Sequence, residues 1–323
     1  MKEPFKIAAV QASPVFLDRE ATVEKACALI AAAGREEARL IAFPESFIPA
    51  YPDWVWVVPS GRKNLLDPLY AELLAQSIVV PDESTRRLCE AARRAKAYVV
   101  IGLSELNAES SATSMYNTLM YIGPDGEVLG KHRKLVPTGG ERLVWAQGDG
   151  STLGVYETPL GTLGGLICWE NYMPLARYAM YAWGTRVYVA ATWDHGEPWL
   201  STLRHIAKEG GVYVIGACTS LRKDDIPDRL AFKELYDQAK VWINPGDSVI
   251  VDPSGRIVAG PAHETETILY AQIDPKTMDG SKWILDVAGH YARPDVFNLS
   301  VARRSNPMIR SAEEGPETSS LEP

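Results

Sequence analysis

The stretch LGGLICWENYMPLARYAMYAWGTRVYVAATWDHGEPWLSTLRHIAKEGGVYVIGAC (163–218) decides the architecture. Three short apolar runs (163–168, 187–192 and 212–217) read as strands, and the two segments between them (174–183 and 199–208) have helical spacing. VYVAAT (187–192) and VYVIGA (212–217) look alike and start 25 residues apart, which fits successive α/β units and not a solenoid array. Such strands call for helices layered over a sheet.

The same rhythm extends outward. Upstream, 6–12 reads as a strand and 20–33 as a helix with Val23, Cys27 and Ile30 on one face. Residues 38–43 form an apolar strand that stops at Pro44-Glu45-Ser46, and 51–69, aromatic and rich in Pro and Gly, reads as a loop or broken helix. Pro81-Asp82 opens a helix to about Lys96, followed by a strand at 98–103. Gly123-Pro124-Asp125-Gly126 joins strands 117–122 and 127–131 in a hairpin, and Asp252-Pro253-Ser254-Gly255 joins 248–251 to 256–259 in another. The last clear strand is 267–273. With no Pro/Gly/Ser linker, residues 1–305 read as one mixed α/β domain and 306–323, ending in SAEEGPETSSLEP (311–323), as a flexible tail. The charged segment 222–240 interrupts the rhythm and reads as a surface insertion.

Composition narrows the function. The 323 residues are 46% hydrophobic and 23% charged, as in ordinary globular chains. Acidic residues outnumber basic ones by 41 to 33, and no basic stripe marks a nucleic-acid surface. The longest apolar run, 26–33, is far short of the ~20 residues of a membrane span. Four scattered cysteines without a CxxC pair suggest neither a zinc site nor a disulfide framework, so a reducing cytoplasm is the expected compartment.

Three polar residues stand where apolar strands run out: Glu45 after ARLIAFP, Lys134 after EVLGKHR and Cys168 after GTLGGLI. Strand ends in α/β folds hold loops rigidly and commonly carry chemistry. Cys27 and Cys89 fall on apolar helix faces. Cys218 also closes a strand, so position alone does not separate it from Cys168; only Cys168 is followed by a polar and aromatic cluster, Trp169-Glu170-Asn171-Tyr172. A thiol needs a base or a nearby cation to become a nucleophile at neutral pH. None of the five histidines shows a pairing signature with Cys168, whereas a carboxylate base and a lysine would serve.

These residues carry a family resemblance. FPESF (43–47), HRKLVPT (132–138) and GGLICWENYMPLAR (164–177) resemble, in order and spacing, the three catalytic segments of the nitrilase, or carbon–nitrogen hydrolase, superfamily. ERLVWAQGDGS (141–151), VQASP (10–14), ATWD (191–194) and VDPSG (251–255) also fit, so the likeness spans roughly 6–300. It implies a four-layer α-β-β-α sandwich with Glu45 as general base, Lys134 as catalytic lysine, Cys168 as nucleophile and Glu141 as an additional glutamate. It implies no metal or organic cofactor. It also implies homodimers paired through helices flanking the site, often built into higher oligomers or spiral filaments. The CWE pattern at 168–170 resembles true nitrilases, which points to a small-molecule nitrile and water as substrates; an amidase or carbamoylase with the same triad is the alternative, and a silent assembly protein of this fold a more distant one. Tyr51, Thr138, Trp169, Tyr172 and Trp193 are the expected substrate-binding residues. With Trp54 and Trp145, these aromatic rings suggest an apolar or aromatic nitrile.

Overall fold

The computed structural model describes residues 3–306. In chain order its elements are β1 (Phe5–Gln11), α1 (Arg19–Arg35), β2 (Ala38–Ala42), α2 (Trp54–Val57), α3 (Lys63–Gln76), α4 (Glu83–Ala95), β3 (Tyr98–Leu106), β4 (Met115–Ile122) and β5 (Val128–Arg133). There follow β6 (Leu163–Ile167), α5 (Pro174–Ala182), β7 (Val187–Thr192), α6 (Glu197–Gly210), β8 (Tyr213–Cys218), β9 (Ser220–Arg222), β10 (Trp242–Val251), β11 (Ile257–His263), β12 (Thr267–Ile273) and α7 (Pro275–Ser281).

Two sheets face each other. One has the order β12-β1-β2-β3-β4-β5; the other runs β11-β10-β8-β7-β6, with β9 paired to β10. Within the first, β1, β2 and β3 are parallel; within the second, β6, β7 and β8 are. The alternation of strand side chains explains the sandwich. Ile7, Leu40, Val100 and Leu119 point inward from one sheet to meet Ile167, Val189, Ile215 and Ile250 from the other. Their neighbours Ala8, Val10, Ile41 and Ile101 point outward under Val23, Ile30, Leu88 and Ala92 of α1 and α4. On the opposite side Leu166, Tyr188, Val214 and Val249 lie under α5 and α6. With both faces covered, these strands read as continuous apolar runs. The layers are therefore α-β-β-α.

One expectation needs correction and another is resolved. Residues 51–69 take the broken-helix form of the two expected: α2 ends at Val57, and α3 starts at Lys63 and runs through Pro68, with Leu69 and Leu73 buried. The charged segment 222–240 is more than a surface insertion, for Ile226, Leu230, Phe232 and Tyr236 turn inward and pack with Phe16 and Trp54. Charges between these apolar positions concealed a buried face. The predicted tail lies outside the described residues from 307 onward.

A glycine sets how closely the first sheet approaches the site. A Cβ on Gly102, in β3, would stand 2.3 Å from the Pro44 carbonyl oxygen and 2.5 Å from the Ser46 nitrogen. Only a residue without a side chain lets the Pro44–Ser46 turn lie against β3, and that turn carries Glu45. Gly102→Ala should therefore lower the unfolding free energy by about 1–3 kcal/mol, as overpacking does. Urea unfolding checks this; unchanged stability would mean the contact does not hold the turn.

Candidate active site

Glu45 leaves the end of β2, Lys134 the end of β5 and Cys168 the end of β6, so the first two come from one sheet and the third from the other. All three are buried. The Lys134 ammonium donates to Glu45 Oε1 at 2.8 Å and to Glu141 Oε2 at 2.7 Å, a cation held between two carboxylates. Asn117 Nδ2 donates to the same Glu45 oxygen at 2.7 Å, and the Trp193 backbone N–H to the other at 2.8 Å. Glu141 is fixed in turn by the Tyr51 hydroxyl at 2.8 Å and the Thr138 N–H at 2.7 Å. Tyr51 lies flat on Trp193, with ring centroids 4.4 Å apart, and edge-on to the buried Trp145. Cys168 opens a short 3-10 turn directly after β6 with φ +50°, a left-handed backbone that non-glycine residues adopt rarely and that gathers at functional positions.

The electrostatics follow from burial and from this chain of charges. Burial pushes the Cys168 thiol far above its ordinary value; Glu45 adds to the rise, and Lys134 opposes it. Burial likewise raises Glu45, against the pull of Lys134 and with reinforcement from Glu141. Lys134 is held above the ordinary lysine value: burial works against its charge, but Glu45, Cys168 and Glu141 outweigh it. The resting arrangement is thus a neutral thiol beside a firmly charged ammonium and a carboxylate of heightened basicity.

A cavity of about 400 Å³ opens onto Cys168. Tyr51, Thr138, Glu141, Trp169 and Trp193 line it. Tyr172, expected among the substrate-binding residues, does not; its ring packs edge-on against Trp169 and Trp199, beside the cavity instead of within it. Trp54 belongs to the buried cluster under the 222–240 segment. The wall is more polar than the aromatic residues suggested, because Asp53, Asp194, His195 and Lys240 also border the cavity. Cys218 is fully buried in β8 with its sulfur directed at the carbonyls of Asp194 and Thr219, and burial raises its thiol strongly. Among the described residues no group of three or more His, Cys, Asp or Glu side chains is arranged to hold a metal ion, and no helix is long and apolar enough to cross a membrane.

Sequence reasoning passed over Glu170. Its carboxylate accepts from the Ile167 N–H at 2.8 Å and the Leu135 N–H at 2.6 Å, and lies 3.0 Å from His132 Nε2. One buried side chain therefore ties the backbone just before Cys168 to the backbone just after Lys134. The signal was present as an acidic residue two positions beyond the cysteine, but the partner N–H groups are invisible in a sequence. Asn117 was missed for a similar reason, as a polar residue inside an apolar strand.

The comparisons with known proteins agree with the fold. The carbon–nitrogen hydrolase family matches residues 6–282. The chain belongs to that family. It is 44% identical to the aliphatic nitrilase of Sinorhizobium fredii (strain HH103), over 92% of this chain and 95% of that protein, and 40% identical to nitrilase 1 of Arabidopsis thaliana, over 92% and 86%. These relatives place it on the nitrilase branch. The fold is similar to the crystal structure of Saccharomyces cerevisiae Nit3, a member of branch 10 of the nitrilase superfamily, with a TM-score of 0.70 at 23% identity over 90% of this chain and 97% of that one.

Burial alone would raise Glu170, but His132 and the two N–H groups hold it below the ordinary carboxylate value. The stability it contributes is therefore present above its unfolded-state value of about 4.5 and is lost as pH falls through the lower folded-state value. Glutamine keeps one acceptor oxygen for two N–H donors, so Glu170→Gln should cost about 1–3 kcal/mol at neutral pH. Measured by urea unfolding between pH 3 and 7, wild-type stability should fall more steeply on acidification than that of the variant. Parallel curves would remove Glu170 from this role.

Proposed function

We propose that this protein hydrolyses organic nitriles to the carboxylic acid and ammonia, with Cys168 as nucleophile, Glu45 as general base, Lys134 as electrostatic stabiliser and Glu141 as the residue that positions Lys134. The observation that carries this reading is the Glu45–Lys134–Glu141 ion pair buried against a cavity onto which Cys168 opens.

The steps balance. Cys168 gives its proton to Glu45 as sulfur adds to the nitrile carbon, and the proton passes to the nitrogen to give a thioimidate. Water, deprotonated by Glu45, adds to the C=N bond to form a tetrahedral intermediate. Ammonia leaves and a thioester remains. A second water releases the acid and restores the thiol, so one nitrile and two waters become one acid and one ammonia. Expulsion of sulfur from the tetrahedral intermediate gives the amide instead. Lys134 and the N–H of Trp169, which at the start of a helical turn has no partner within it, face the charge developing on nitrogen. Tyr51, Thr138, Trp169 and Trp193 bound the substrate.

The assembly we propose is a homodimer that builds higher homo-oligomers. Exposed apolar side chains beside α5 support it, notably Leu175 (68% exposed) and Phe297 (77%). Four free cysteines suit a reducing cytoplasm.

Cys168→Ala should abolish ammonia release from nitriles while leaving the fold intact, and Cys218→Ala should leave turnover largely unchanged. Glu45→Gln and Lys134→Ala should each lower kcat by about 10³-fold or more, because the groups act as a unit. A panel of nitriles and their matching amides tests the reaction class. Faster release from the amides throughout would make the protein an amidase.

A further inference from the structure

The cavity wall carries a buried charge for which the proposed reaction has no use. Asp53, immediately before α2, is 5% exposed and borders the same cavity as Cys168. The Tyr236 hydroxyl donates to its Oδ2. Beyond that bond, the Trp193 side chain and the Lys240 ammonium draw its charge more weakly. An ionised carboxylate has about four lone-pair directions, and the Tyr236 hydroxyl accounts for one. Burial raises Asp53 to about 6, so most of it is ionised at neutral pH.

This wall discriminates between ligands. Seating a hydrocarbon tail against Asp53 removes its remaining water and supplies nothing in return, whereas an N–H or O–H group replaces the lost hydrogen bond. A buried polar group left unpaired by the wrong ligand is a stronger filter than a change of pocket size. Lys240 offsets only part of that charge, since it is exposed, forms no ion pair among the described residues and is screened by solvent.

Resting on the nitrilase reading above, we propose that Asp53 is a specificity-determining residue that selects nitriles whose far end carries a hydrogen-bond donor, an amine or a hydroxyl, over hydrocarbon nitriles of the same size. Tyr236 aims the carboxylate, so the segment once read as a surface insertion contributes to substrate choice.

The test compares three near-isosteric substrates, 3-aminopropanenitrile, 3-hydroxypropanenitrile and butanenitrile, with their one-carbon homologues. The wild type should favour at least one donor-bearing nitrile over its hydrocarbon counterpart by about tenfold or more in kcat/KM. Asp53→Asn should reduce that preference by about 10- to 100-fold, mainly through KM; a larger loss for the amine identifies an ammonium ligand, a larger loss for the alcohol a hydroxyl, and comparable losses a site that takes either donor. Tyr236→Phe, which keeps the carboxylate but removes the hydroxyl that aims it, should weaken the preference, though less than Asp53→Asn does. If the wild type shows no preference, or Asp53→Asn slows all the nitriles equally, the proposal is overturned while the nitrilase reading stands. Failure of the wild type to hydrolyse any nitrile would overturn both. Should Asp53→Asn not fold, the wild-type ranking alone decides.

Discussion

The Lys134 ammonium, buried between Glu45 and Glu141, is the constraint on which the site depends. Taking one cation and two anions out of water costs several kcal/mol per ion. The arrangement persists because nearly every lone pair and proton finds a partner: Asn117 and the Trp193 N–H on Glu45, Tyr51 and the Thr138 N–H on Glu141. Removing Lys134 would leave two carboxylates buried and uncompensated, a loss of about 3–5 kcal/mol. The ion pair also joins the turn after β2, the end of β5 and the turn that follows it. The first sheet thus presents a preformed electrostatic floor to the cysteine of the second.

In the proposed reaction, that floor explains how a strongly protonated thiol can serve as a nucleophile. With the thiol neutral, the three ionised groups sum to one negative charge. When the proton moves from Cys168 to Glu45, the sulfur becomes the anion and the glutamate neutral, so the net charge does not change. Burial opposes creating charge and penalises relocating it far less. The raised affinities of Glu45 and Cys168 for protons partly offset each other, and the transfer completes as sulfur bonds to carbon. Glu170 keeps the two halves in register by gripping the main chain beside both Cys168 and Lys134.

Much of the fold could be read from the sequence because both sheets are covered. Strands buried on two faces appear as uninterrupted apolar runs, and the helices between them keep their period. Strand ends then exposed Glu45, Lys134 and Cys168 as polar residues with no reason to stop a core strand. What stayed hidden depended on pairing across distance. The buried face of 222–240 was masked by the charges between its apolar residues. Tyr172 is close to the cavity residues in sequence, but its ring packs edge-on against Trp169 and Trp199 beside the cavity. Asp53 offered no signal, since its meaning comes from Tyr236, 183 positions later.

The central claim is that the sulfur of Cys168 becomes covalently bonded to the nitrile carbon. Acid quenching during turnover, followed by peptide mass spectrometry, measures this most directly. The account predicts a thioimidate or thioester of the substrate on the peptide containing Cys168 and on no other cysteine. An adduct on Cys218, or steady turnover with no trapped intermediate on Cys168, would contradict it.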